Sequence, residues 1–271
     1  FDAISDPLVG AWSDRFKSVW GRRHPFIYFA IIPFGISAYY LYSVPSDTSQ
    51  TTLFIKLLVT SILVRTFFTL YETPRAAIGP ELIKDYERRN TLSGYGMLYG
   101  NMGLGIMTYA MLAFFLIETE EFTGSKAFLN PDAYPKLGIL AFFLIIIFGL
   151  VSSLSTHKYI PQMIEPKRNN FNFKNFFNEI LESLSNRNWL VLFAAGTILA
   201  LNIGIFSSLD YYFNIYFWQW TPETISLFPI IIGIPVVLAG FFSAPLAKGK
   251  SKKKFAIGLF SINLIIEPMP I

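Results

Sequence analysis

The 271 residues are 53% hydrophobic and 17% aromatic but only 15% charged, with a formal net charge of +4 and twice as many Phe (28) as Tyr (14). Charge this sparse does not solvate the surface of a soluble domain of this length, so hydrocarbon is the expected solvent. The sequence holds no cysteine, which excludes disulfides, thiol catalysis and thiolate metal sites. Its two histidines, His24 and His157, each stand at a loop edge beside basic residues, where an interfacial position is expected.

In chain order the apolar stretches are Pro25 to Val44, Thr52 to Tyr71, Met97 to Ile117, Leu137 to Leu154, Trp189 to Leu209 and Ile225 to Leu246. Each has about 20 residues, enough to cross about 30 Å of hydrocarbon as a helix rising about 1.5 Å per residue. Another helix end precedes them around Asp2 to Asp14, and a further apolar run begins at Phe255. The first residue is Phe1, with no leader before it, and Ile271 lies inside that last run. At least one further helix is therefore expected before Asp2 and several after Ile271.

The connections alternate in charge. The first, Asp14 to His24, carries Arg15, Lys17, Arg22 and Arg23, whereas Ser46 to Gln50 has no basic residue. Lys84, Arg88 and Arg89 occupy the third; Glu118, Glu120, Glu121 and Asp132 dominate the fourth; Lys158, Lys167, Arg168, Lys174 and Arg187 fill the fifth. Trp218 to Glu223 has no Lys or Arg, and the seventh connection holds Lys248, Lys250, Lys252, Lys253 and Lys254. Odd connections are thus expected on the cytoplasmic side, and the basic net charge reports topology, with no nucleic-acid partner implied. In the long fifth connection, Phe173, Phe176, Phe177, Ile180, Leu181 and Leu184 recur at helical spacing within Phe171 to Ser185, as in an amphipathic helix lying on the interface. The chain then reads as a helical bundle over residues 1–157, a central cytoplasmic segment over 158–188 and the start of a second bundle over 189–271. A weak repeat, Gly10-Ala11-Trp12-Ser13 against Gly240-Phe241-Phe242-Ser243, each before a basic turn, agrees with two related halves.

Acids inside the spans carry the functional signal. Counted back from Asp14, Asp6 lies about 12 Å and Asp2 about 18 Å deep, and Glu72 reaches about 18 Å when counted from Lys84. Asp2 and Asp6 are four apart and share a helix face; two carboxylates this close in a low dielectric hold a cation or a proton between them. No basic residue on the same helix neutralises them. Pro7 and Pro74 lack the amide that would engage the carbonyls of Ala3 and Leu70, leaving backbone oxygens beside the acids for a hard cation such as Na⁺. Arg65, Thr69, Glu72 and Arg75 form a polar stripe on an apolar helix, a substrate-path candidate in which Glu72 either serves transport or pairs with one of the two arginines. Asn202, Asp210 and Asn214 are a sparser polar set near Tyr211, Tyr212 and Tyr216, ordinary interfacial anchors, and Asp210 is the candidate there.

Phe1-Asp2-Ala3-Ile4-Ser5-Asp6-Pro7-Leu8-Val9-Gly10, then Ser13-Asp14-Arg15 and Gly21-Arg22-Arg23-His24-Pro25, strongly resembles the second helix and following loop of the glycoside–pentoside–hexuronide:cation symporters. This is the melibiose-carrier branch of the major facilitator superfamily. Thr69-Leu70-Tyr71-Glu72-Thr73-Pro74, Gly79-Pro80-Glu81-Leu82 and Asp85-Tyr86 to Leu92-Ser93-Gly94-Tyr95 resemble its helix IV and exit loop. The resemblance covers about the first hundred residues. It implies an all-α polytopic membrane protein of the major facilitator fold, a fragment holding helices II to VIII and part of IX, that works by alternating access in the plasma (inner) membrane as a monomer. It implies a coupling ion, Na⁺ or H⁺, at Asp2, Asp6, Thr69 and Glu72, no other cofactor, a sugar-like small-molecule substrate, and a cytoplasmic gating loop at Asp14, Arg15, Gly21, Arg22 and Arg23. The chain departs from the melibiose carrier at Ala76, where an aromatic residue stacks on sugar, and at Gly96, where an arginine is common.

Rival readings differ in class. A lysolipid or amphiphile carrier of the same superfamily fits the missing aromatic residue. A CDP-alcohol phosphotransferase-type enzyme fits Asp2-x3-Asp6 but has no place for the basic loop or the helix IV pattern. A non-transporting membrane sensor fits the fold and needs no midplane acids.

Overall fold

The structure, a computed structural model, describes residues 2–43, 48–163, 178, 181–182, 184–247 and 251–266. Among these the helices are α1 (Asp2–Arg15), α2 (His24–Tyr42), α3 (Gln50–Leu82), α4 (Tyr86–Ala110), α5 (Ala133–His157), α6 (Arg187–Tyr212), α7 (Pro222–Ala247) and α8 (Lys252–Ile266), with no strand. α4 and α6 each run on into a π turn, Met111–Phe115 and Phe213–Phe217. Six segments are long and apolar enough to cross a membrane: His24–Tyr42, Gln50–Leu82, Arg88–Phe115, Ala133–His157, Arg187–Phe217 and Pro222–Ala239. They coincide with the six expected stretches, and the protein is a multi-pass helical membrane protein. Large apolar side chains stand exposed on these spans, Phe29, Phe54, Leu104, Phe148, Leu192 and Ile231 among them, the kind of surface that a bilayer solvates.

The third connection is shorter than the sequence suggests. Arg88 and Arg89 belong to α4, leaving Ile83–Asp85 between the helices. Asp85 is the cause: as N-cap it accepts the Arg88 amide at 2.8 Å, so the helix begins well before the apolar stretch does. Of the fifth connection, a short 3-10 turn at Ile160–Gln162 follows α5, and the expected amphipathic helix Phe171 to Ser185 lies largely outside the described residues.

By contact the chain forms two units, Phe1–Leu82 with Leu112–Ile225, and Ile83–Met111 with Ser226–Ile271. In the first, α2 packs on both α3 and α5, and α1 lies along α3. Ile27, Ile31 and Ile78 form its buried centre, with Tyr71, Leu82, Ile146 and Met163 packed against them. Lipid gives helices no hydrophobic reason to associate, so close backbone approach through small residues does that work, and the α2–α5 seam uses it. A Cβ on Gly149 would stand 3.1 Å from Ile31, and one on Gly138 3.1 Å from the Tyr39 carbonyl oxygen. Backbone cannot step aside as a side chain can. Gly138→Val is therefore expected to cost about 1–3 kcal/mol, read as a fall in melting temperature in detergent, while valine at exposed Gly196 should change it little.

Polar contacts fix the end of the same seam at the start of α2. His24 is fully buried, its Nε2 3.1 Å from Thr156 Oγ1, and Tyr28 Oη lies 2.9 Å from His157 Nδ1. The two histidine rings meet edge to face at 5.7 Å. A basic neighbourhood in sequence does not reveal that α5 covers the first turn of α2. In the second unit, a Cβ on Gly105 of α4 would stand 3.9 Å from the Pro229 carbonyl oxygen of α7, and Tyr95 and Tyr99 stack at 6.3 Å.

Candidate ion and substrate site

Pro7 lies inside α1 and Pro74, buried, inside α3, so the carbonyls of Ala3 and Leu70 face residues that have no amide to donate. α1 lies against α3 at this level: a Cβ on Gly10 would meet Thr73 Cγ2 in ordinary contact at 3.6 Å. At this separation the polar stripe of α3 meets the acids of α1 pair by pair. The Thr69 hydroxyl donates to Asp6 Oδ1 at 2.8 Å, and Arg65 Nη1 donates to Asp2 Oδ2 at 3.1 Å. Thr69 is 3% exposed, so its hydroxyl is held in place by packing, whereas the Arg65 and Asp2 side chains remain 60% and 43% exposed. Asp2 Oδ1 is buried and has no hydrogen-bond partner among the described residues.

Glu72 is engaged one turn further along α3. It accepts from Arg75 Nε at 2.7 Å and from Arg75 Nη2 at 2.6 Å, a two-point fork within one helix. Of the alternatives open in the sequence, the geometry brings Glu72 to Arg75, while Arg65 crosses to α1. The second helix thus supplies the basic partner that the first lacks, and Asp6 meets a hydroxyl where Asp2 and Glu72 each meet a guanidinium.

Asp210 sits apart, near the end of α6. Its carboxylate accepts from Asn214 Nδ2 at 3.1 Å, and the two line an open cavity of about 400 Å³ with Asn202, Phe206 and Trp218. The π turn shapes this wall: Trp218 N bonds to Phe213 O at 2.9 Å, five residues back, which widens the helix beside Asn214.

The loop between α1 and α2 folds as a latch. Gly21 has φ +75, a region that only glycine enters freely, and closes a turn in which its amide bonds to Ser18 O at 3.1 Å and Ser18 Oγ donates to Gly21 O at 2.6 Å. The turn aims Arg22 and Arg23 at Glu81, at the end of α3. Arg22 Nη2 lies 2.7 Å from Glu81 Oε2, Arg23 Nη1 bonds the same oxygen, and Arg23 Nη2 reaches Asp14 Oδ1 at 2.9 Å. Arg15 instead donates to the Ala11 carbonyl at 3.3 Å. Glu81, whose side chain is 4% exposed, is the residue that sequence reasoning left without a role. Its signal was an acid at the last turn of a span facing a basic loop.

These pairs join the ends of α1, α2 and α3 and place acids and hydroxyls along the α1–α3 seam. A family model described as MFS/sugar transport protein matches residues 1–267. The chain belongs to that family. That membership agrees with the resemblance carried by Asp2 to Pro25 and Thr69 to Tyr95. A symporter of Synechocystis sp. is 34% identical over 120 residues, 42% of this chain and 22% of its own. The inner membrane symporter YicJ of Escherichia coli is 32% identical over 111 residues, 41% of this chain and 24% of its own. The sodium-dependent lysophosphatidylcholine symporter 1 of Xenopus tropicalis is 32% identical over 106 residues, 38% of this chain and 20% of its own. The matched part of the chain therefore spans between a fifth and a quarter of these relatives. No solved structure matches significantly.

Proposed function

We propose that the protein is a cation-coupled symporter of the plasma membrane that carries a sugar or related small solute by alternating access. The observation that carries the reading is the pairing of α1 acids with α3 partners: Asp6 with Thr69 and Asp2 with Arg65, with one Asp2 oxygen buried and without a hydrogen-bond partner among the described residues. A carboxylate, a hydroxyl and proline-freed carbonyls are the oxygen ligands that Na⁺ takes, and the same carboxylate accepts a proton. Relatives named as symporters support coupling.

In this mechanism the ion neutralises the seam and the substrate binds beside it on the polar face of α3. The doubly loaded state lowers the cost of moving charge past hydrocarbon, so the helical groups 1–157 and 189–271 exchange their exposure around the midplane. The latch at Glu81, Arg22 and Arg23 ties the cytoplasmic helix ends of α1 to α3 and must give way when that side opens. Uptake by the whole protein in liposomes tests the proposal. Accumulation of labelled sugars driven by an imposed Na⁺ or H⁺ gradient is expected, and uptake indifferent to both gradients would refute it.

A second reading, a carrier of lysolipids or other amphiphiles, is favoured by one pair. The Glu72 fork engages only part of the Arg75 guanidinium, whose remaining donors suit a phosphate, and exposed Ala76 follows in place of an aromatic ring that would stack on sugar. Gradient-driven uptake of a labelled lysophospholipid, with sugars inert, would select it.

A further inference from the structure

Among the described residues two side-chain pairs bridge α1 and α3, Asp2 with Arg65 and Asp6 with the neutral Thr69, while Glu72 pairs with Arg75 within α3. One negative charge is left over, and it sits at Asp6. The pairs also differ in kind. Glu72 and Arg75 are neighbours on one helix and form a two-point fork, whereas Arg65 reaches across to α1 with a single bond of 3.1 Å to one oxygen of Asp2. The other oxygen of Asp2 is buried and has no partner. Arg65 lies one helical turn before Thr69, on the same face, so its charge stands beside the oxygens that would hold the coupling ion.

We infer that Arg65 is a built-in cation that neutralises Asp2, so that the seam accepts a single monovalent ion at Asp6 and Thr69. The inference rests on the cation-coupled reading above and extends it to ion number and affinity. Without Arg65, two ionised carboxylates four residues apart would stand in low dielectric and would need two monovalent charges, or one held far more tightly. Arg65 supplies one of them from the protein and competes with the ion for Asp2. Its guanidinium is permanently charged and tethered, so it lowers affinity for the ion that must later be released. Arg65 is a positioning and specificity residue in this scheme; the ion itself is held by oxygens.

The experiment uses the whole purified protein and the ions alone. Na⁺ and Li⁺ binding is measured by calorimetry at constant ionic strength, and proton uptake by indicator titration, for the unaltered protein and for Arg65→Gln, Arg65→Lys, Asp2→Asn, Asp6→Asn and the Asp2→Asn/Arg65→Gln pair. One cation equivalent per chain is expected for the unaltered protein and for Arg65→Lys. Arg65→Gln should bind a second equivalent, or the first roughly tenfold more tightly, as expected when a neighbouring positive charge is removed. Asp2→Asn leaves Arg65 uncompensated and should weaken binding, and the double variant should restore it, which also guards against a single variant that fails to fold. Unchanged stoichiometry and affinity in Arg65→Gln, or weaker binding, overturns the role of Arg65 while ion binding that Asp6→Asn abolishes keeps the coupled reading intact. If the unaltered protein binds neither Na⁺, Li⁺ nor a proton at Asp6, both fall together.

Discussion

Asp6→Asn is expected to cut gradient-driven uptake by the whole protein at least a hundredfold while the protein stays folded. Asp6 is solvent-exposed in this structure, and its one bond is accepted from the Thr69 hydroxyl at 2.8 Å. An asparagine oxygen accepts that same bond, so shape and packing survive. What disappears is the charge: among the described residues Asp2 and Glu72 each meet a guanidinium, whereas Asp6 meets a hydroxyl. Substrate exchange between equal concentrations on the two sides should persist at a reduced rate, because it needs no net movement of the ion. Thr69→Ala is expected to be milder, since it removes one neutral ligand and leaves the charge. Uptake by Asp6→Asn liposomes that still responds to Na⁺ or H⁺ gradients would remove Asp6 from the coupling site.

Glu81→Ala is expected to be the most destabilising single change in the latch. The Glu81 side chain is 4% exposed and one of its oxygens is shared by Arg22 and Arg23, themselves 12% and 7% exposed. Removing it strands two guanidinium groups in a site with little water, a loss of about 3–5 kcal/mol when a buried pair is broken from one side. Asp14 still holds Arg23 at 2.9 Å, which places the expected value at the lower end of that range. Asp14→Asn is the control. Its side chain is 51% exposed, so water screens its pairs and the loss should be under about 1 kcal/mol. Melting in detergent separates the two variants, and equal losses would mean that the latch is held by the turn around Gly21 and not by Glu81.

Much of the fold was legible because hydrocarbon imposes a simple rule. A span must be long and apolar, and Leu137 to Leu154 or Trp189 to Leu209 can hardly be read otherwise. Helix starts set by local hydrogen bonds were less legible: Asp85 caps α4 many residues before its apolar stretch begins. The packing of His24 was not legible either: it is fully buried against Thr156, a residue more than a hundred positions away. Sequence distance hides such contacts. At the site, the depth and spacing of Asp2, Asp6 and Glu72 were visible from residue counting, but their partners were not.

By itself the sequence determined that this chain crosses a membrane as helices, which connections carry the basic charge, and that acids interrupt two of its helices. Each follows from composition and from a rise per residue that every α-helix shares. Only the tertiary structure decided which group each acid meets: Asp2 meets Arg65, Glu72 meets Arg75, and Asp6 meets the neutral Thr69 hydroxyl. Helical spacing allows Arg65 and Arg75 to serve either Glu72 or a neighbouring helix, and the choice depends on how closely α1 packs along α3. That separation is a property of packing between helices, which no periodicity within one helix encodes.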